Sequence, residues 1–125
     1  MKQIINTPDA PAPIGPYNQA VKVGDTLYVS GQIPMDPKTS KLVTTGIADE
    51  TEMVMQNLEA ILKAAGLTFD HVVKCTIFIM DMNDFSTINE VYGQRFGNDA
   101  PARETVQVSR LPKDVNVEIS CIAVS

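Results

Sequence analysis

The run Val72-Val73-Lys74-Cys75-Thr76-Ile77-Phe78-Ile79-Met80 is almost continuously apolar. A strand with one wet face would alternate, so this run reads as a strand covered on both faces. Downstream, a helix pattern begins near Asn83-Asp84. It carries Phe85, Ile88, Val91 and Tyr92, with Phe96-Gly97 closing it. A second strand-like run follows, Pro101-Ala102-Arg103-Glu104-Thr105-Val106-Gln107-Val108-Ser109-Arg110-Leu111. A strand–helix–strand crossover brings two strands together in parallel.

Working outward, the segment before this unit reads as short strands. They are Ile4-Ile5-Asn6, Gln19-Ala20-Val21-Lys22-Val23 and Leu27-Tyr28-Val29-Ser30-Gly31, with Gly24-Asp25 as a hairpin turn between the last two. A Pro/Lys/Thr/Ser loop runs from Pro34 to about Lys41. The next helix is expected to start with Asp49 as N-cap and Glu52 three residues on, and to end at Gly66. Its apolar stripe is Val54, Leu58, Ile61, Leu62 and Ala65. After Leu111, a Pro112-Lys113-Asp114 turn leads to a last strand through Val117-Glu118-Ile119-Ser120-Cys121-Ile122-Ala123-Val124. The expected order is β-β-β-α-β-α-β-β: an α+β fold with a mixed sheet and two helices on one face. The other face is left bare, and an apolar bare face on a small domain predicts an oligomer.

The chain has 125 residues and 44% hydrophobic content, enough for one domain over residues 1–125 with one core. Charged residues make up 20%, which argues against disorder. No apolar run approaches the roughly 20 residues of a membrane span, and Met1-Lys2-Gln3-Ile4 lacks a signal-peptide core. A cytoplasmic protein without membrane contact is expected. The net charge of −5 and the scattered Lys and Arg leave no basic stripe for nucleic acid. Cys75 and Cys121 fall inside apolar strands and read as core thiols rather than a disulfide or a nucleophile.

Several chemistries drop out. The single histidine, His71, gives no His-rich metal set and no partner pattern for a Ser or Cys nucleophile. Neither G-x-x-x-x-G-K-[ST] nor G-x-G-x-x-G occurs. The six methionines read as core filler.

What remains is polar groups near strand ends. Alternation places Val106 and Val108 on one face and Arg103, Thr105, Gln107 and Ser109 on the other. A guanidinium is a fixed fork suited to a carboxylate or phosphate, although from position alone a solvated face with a surface ion pair, for instance to Glu104, is the plainer reading. Glu118 shares its face with Asn116 and Ser120 and is either a solvated carboxylate or a general base. Tyr17 follows the rigid Gly15-Pro16 and either caps the core edge or presents its phenol to a site. Gly31, after Ser30, lets a small ligand approach the backbone. Asn89 lies on the flank of the second helix, where a plain surface amide is the alternative.

Together, Ile14-Gly15-Pro16-Tyr17, Ser30-Gly31-Gln32-Ile33-Pro34, Ala64-Ala65-Gly66-Leu67, Asn83-Asp84-Phe85, Pro101-Ala102-Arg103 and Arg110-Leu111-Pro112-Lys113-Asp114 resemble the Rid (YjgF) family of reactive-intermediate deaminases. The resemblance covers essentially the whole chain, with the motifs in the family's order. It implies a chorismate-mutase-like fold and a homotrimer with three clefts between subunits. It also implies Arg103 as substrate anchor and Glu118 as the residue that positions water. Tyr17, Ser30, Gly31, Asn89 and Thr105 would complete the substrate-binding set. Many members carry Cys where this chain has Thr105, a change that bears on substrate preference. The segment Gly97-Asn98-Asp99-Ala100 is short, which bears on the cleft rim.

The implied activity is hydrolysis of 2-iminopropanoate and 2-iminobutanoate to 2-oxo acids and ammonia, with no metal or cofactor required. Arg103 would clamp the carboxylate while Glu118 activates water at C2. The alternatives are a 2-oxo-acid-binding or regulatory module without turnover, and a ribonuclease or translation inhibitor, which the acidic charge disfavours.

Overall fold

Residues 1–125 are described by a computed structural model. The strands are β1 (Lys2–Ile5), β2 (Ala20–Val23), β3 (Thr26–Gln32), β4 (Val72–Ile79), β5 (Ala102–Gln107) and β6 (Val117–Val124). Helix α1 (Ile47–Ala64) joins β3 to β4, and α2 (Phe85–Gly93) joins β4 to β5, which reproduces the expected order. Single 3-10 turns precede β4, α2 and β6. The sheet runs β1-β2-β3-β6-β4-β5, with β4 and β5 parallel and every other pair antiparallel. The crossover through α2 makes β5 the parallel partner of β4, as the strand–helix–strand reading requires.

The helices differ from expectation at their ends. α1 begins two residues before Asp49, with Gly46 at the N-cap and no side chain capping it. Asp49 instead accepts a hydrogen bond from the Thr45 hydroxyl at 2.7 Å, and Glu52 accepts from both terminal nitrogens of Arg95, just past the end of α2, at 2.8 and 2.7 Å. The two acids expected to form a capping pair thus have other partners, one of them tertiary. The C-terminus behaves as read. Gly66 takes φ 77, and the Leu67 N–H reaches the Leu62 carbonyl at 2.8 Å while the Gly66 N–H reaches that of Lys63 at 2.9 Å. α2 is shorter than expected and stops at Gly93. Phe96 still packs, with its ring centroid 4.8 Å from that of Tyr92 and 5.5 Å from that of Phe69.

Both helices lie on one face of the sheet. Val54, Leu58, Ile61 and Leu62 of α1 are fully buried, together with Ile77 and Ile79 of β4 and Val117, Ile119 and Ala123 of β6. Cys75 and Cys121 stand opposite each other across β4 and β6, both buried and free, as core thiols should be. Burial pushes both thiols up.

The opposite face has no cover within the chain. Ile4, Tyr28 and Val106 on it are 43%, 51% and 43% exposed. β4 was expected to be covered on both faces, yet only its Cys75, Ile77 and Ile79 side is; Lys74, Thr76 and Phe78 line the open side and are half-buried.

Candidate functional site

The candidate residues form two groups. The first is built by β5 and α2. Alternation along β5 holds, but the polar side is the covered one: Val106 points to the open face, while Arg103 and Thr105 are half-buried toward α2. Glu104, on the open side with Val106, pairs with Lys74 at 3.0 Å and accepts the Thr76 hydroxyl at 2.8 Å, so it does not pair with Arg103.

Of the three arginines, Arg95 is bound to Glu52 and Arg110 to Asp114, each through two nitrogens. Arg103 has neither an ion pair nor a side-chain hydrogen bond. Its guanidinium carbon lies 5.0 Å from the ring centroid of Tyr92 and 5.6 Å from that of Phe85. Aromatic faces attract the cation without occupying its N–H groups, so the fork stays available. Asn89, one turn on from Phe85 and three residues before Tyr92, lies on the same side of α2 and is half-buried. The Thr105 Oγ1 and the Tyr92 hydroxyl are buried without a hydrogen-bond partner. Burial pushes the Tyr92 phenol well up, so it remains a donor.

The second group lies on the open face, where β3 meets β6. Glu118 is half-buried there, opposite Phe78 of β4, and makes no hydrogen bond or ion pair. Burial raises its carboxyl above the ordinary value, with no neighbouring cation to offset it. The register between β3 and β6 shifts between Val29 and Gln32, which brings Gly31 against Glu118. A Cβ on Gly31 would come within 2.8 Å of the Glu118 Cδ and 3.0 Å of its Cγ and Oε2. Gly31 is therefore the space in which the carboxylate lies.

The Ser30 hydroxyl donates to the Asn18 carbonyl at 2.6 Å, and the Ser30 N–H to that of Gln19 at 2.9 Å, tying β3 to the loop that carries Tyr17. Tyr17 is 46% exposed, and its phenol oxygen accepts the Ile14 N–H at 3.4 Å. Tyr17 and Gly31 line a small cavity of about 30 Å³. Two larger concavities, about 710 and 550 Å³, lie along the outer side of α1 around Gln56 and Glu59 and contain none of these residues.

A family model described as endoribonuclease L-PSP matches residues 7–125. A RutC family protein of Pyrococcus horikoshii is 54% identical over 123 residues, covering 98% of each chain. A Bos taurus protein named 2-iminobutanoate/2-iminopropanoate deaminase is 52% identical over 124 residues, 99% of this chain and 90% of that one. The solved structure of YyfA, a Rid-family protein of Yersinia pestis, matches with a TM-score of 0.97 at 46% identity and 100% coverage of both chains.

The chain belongs to the Rid (YjgF) family. In this Rid chain, Arg103, Thr105 and Asn89 stand on the helix-covered side of the sheet, and Tyr17, Ser30, Gly31 and Glu118 on or beside the open side. The fold brings together each set but does not unite the two. Phe85 and Tyr92 are missing from the sequence-derived site because each also fits the apolar stripe of α2. The available signal was their spacing about Asn89 on the helix that leads directly into the Arg103 strand.

Proposed function

We propose that this chain hydrolyses 2-imino acids to 2-oxo acids and ammonia in clefts formed between copies of itself. The observation that carries the reading is the pair of unpaired charges. The one arginine with no carboxylate partner and a half-buried glutamate with no cation are the two residues the chemistry calls for. The bovine relative's name points to the same substrates, 2-iminobutanoate and 2-iminopropanoate.

Arg103 receives the substrate carboxylate through two parallel N–H···O bonds, a geometry a point charge does not offer. This fixes C2, the carbon of the C=N bond. Glu118 accepts a proton from water as the water oxygen bonds to C2, and the C=N electron pair moves to nitrogen, which takes up a proton. The carbinolamine then collapses: its hydroxyl proton is removed, the C–N bond breaks, and ammonia leaves a 2-oxo acid. A carboxyl raised by burial is a better match for this proton transfer near neutral pH than an ordinary one.

A protomer alone does not place Arg103 and Glu118 on one substrate, because they occupy opposite faces. A homotrimer with three clefts, each taking Arg103 from one chain and Tyr17 and Glu118 from the next, accounts for both halves and for the uncovered apolar face.

The test is to generate 2-iminopropanoate or 2-iminobutanoate with a dehydratase and follow ammonia release with and without the protein. An acceleration that grows with protein concentration supports the reading, and no acceleration sinks it. A second reading, a 2-oxo-acid binder without turnover, rests on Arg103 alone. A carboxylate beside the clamp for an anion opposes that reading, since like charges repel in a site of low polarity. The name of the matched family model suggests a ribonuclease. A net charge of −5 without a basic groove disfavours it.

A further inference from the structure

Five polar side chains are buried in this chain: Gln19, Gln32, Glu50, Thr51 and Asn57. Two of them use their amides in the same way. Gln19 accepts the Thr7 N–H at 2.6 Å and donates to the carbonyls of Thr7, Ala10 and Pro11 at 3.0, 3.1 and 2.9 Å. Asn57, on α1, donates to the carbonyls of Ile33 and Met35 at 3.2 and 3.0 Å. Pro11, Ile33 and Met35 line the same cavity, the one that also contains Tyr17 and Gly31. Its two loop walls thus have no regular secondary structure, and each is held by a buried amide, one from Gln19 just before β2 and the other from Asn57 in α1.

The cavity measures about 30 Å³, where one water-sized group needs about 10–15 Å³, and so takes a group of about two carbon atoms. Gly31 forms part of its lining and also abuts Glu118. A substrate whose C2 sits at Glu118 has this cavity within reach of the side chain that leaves C2.

We propose that Gln19 and Asn57 are positioning residues that hold the two walls of this cavity and thereby set the length of substrate side chain the site accepts. The proposal rests on the reading that C2 of a 2-imino or 2-oxo acid sits at Glu118. Loosening either wall widens the cavity, which weakens the discrimination against longer side chains. It does not require any change in Arg103 or Glu118.

The test uses the assembled protein and a series of 2-oxo acids, pyruvate, 2-oxobutanoate and 2-oxopentanoate, with dissociation constants from calorimetry. Wild type should bind the two shorter acids more tightly than 2-oxopentanoate. In Asn57→Asp, Asn57→Leu and Gln19→Met, each first shown to be folded by circular dichroism, the affinity for 2-oxopentanoate relative to pyruvate should rise about fivefold. Met35→Ala enlarges the cavity without touching either amide and should shift the ratio in the same direction.

An equal weakening for all three acids in the amide variants, which a generally loosened fold would give, overturns the proposal. So does an unchanged ratio in Met35→Ala, or the absence of any binding to wild type. Imine turnover by wild type, measured in parallel, judges the deaminase reading separately: binding with length selection but no turnover sinks that reading and leaves this one standing.

Discussion

Arg103 and Glu118 flank the same strand, β4, yet they look out from opposite faces of the sheet into different surroundings. On the Arg103 side the chain supplies its own cover. α2 brings the rings of Phe85 and Tyr92 to about 5–6 Å from the guanidinium, which orients the cation and leaves its donors unused. On the Glu118 side the chain supplies backbone space, the missing Cβ of Gly31, and leaves the half-buried carboxylate without a hydrogen-bond or ion-pair partner. One half is finished within the chain and the other is left open. The lesson is that two opposite charges can be kept from neutralising each other by putting a β-sheet between them. Within the chain Arg103 and Glu118 form no ion pair, so under the proposed reading each remains available for substrate and water.

The most severe way to break this comparison is at its open half. Glu118→Gln should reduce kcat for imine hydrolysis on the order of a hundredfold, the scale of a lost general base. Binding of 2-oxo acids should stay the same or tighten slightly, because a negative charge near the ligand has gone. A Gln variant that hydrolyses imines at the wild-type rate removes Glu118 from the chemistry.

The covered half is expected to be the next most sensitive. Arg103→Lys should lower kcat/KM by tenfold or more while leaving the assembly intact, since an ammonium does not reproduce the bidentate fork. The two impaired variants also sharpen the comparison when unfolded and refolded together. If each cleft takes one half from each of two chains, random mixing leaves about a quarter of clefts with both native halves, and activity returns to that level. Activity that stays at the level of the separate variants argues that both halves belong to one chain.

A smaller effect should follow from Gly31→Ala. The new methyl meets the Glu118 carboxyl at 2.8 Å, so the side chain must swing aside, and a fall of about tenfold in kcat is expected with KM little changed. An alanine variant with native kcat would mean that the position of the carboxylate does not matter.

The mildest effect is on pH dependence. The folded Glu118 carboxyl is raised above the ordinary value of 4.5 by burial. The base form is therefore lost at a higher pH than for an exposed glutamate, and the acid limb of kcat/KM should lie above that value. Because the folded value is the raised one, the contribution of Glu118 to stability is present below 4.5 and is lost as pH rises through the folded value. Glu118→Gln should accordingly melt higher than wild type at neutral pH, with the gap closing in acid. An acid limb at the ordinary value, or a gap that widens in acid, contradicts the burial argument.

Much of the fold was legible beforehand because period and punctuation are local. The stripe Val54-Leu58-Ile61-Leu62, the Gly24-Asp25 turn and Gly66 at the end of α1 each depend on residues a few positions apart, and each appears where the pattern put it. The errors share a cause as well. Asp49 and Glu52 have the spacing of a capping pair, but Glu52 is drawn to Arg95, 43 positions away. Phe85 and Tyr92 fit an apolar stripe and a cation platform equally well until β5 is laid beside α2. Of the candidate site, the sequence could name the residues, but not their division between the two faces of the sheet.

What the sequence determined by itself is which residues travel together. Alternation groups Arg103 with Thr105 and Val117 with Ile119, and so sets Glu118 apart from its neighbours. Which of those faces the helices cover was decided by the tertiary structure alone, because that depends on the side of the sheet to which the crossovers carry α1 and α2. The structure turned the polar side of β5 inward and left Val106 and Glu118 on the open face. A strand's pattern records two faces, and only packing assigns one of them to the core.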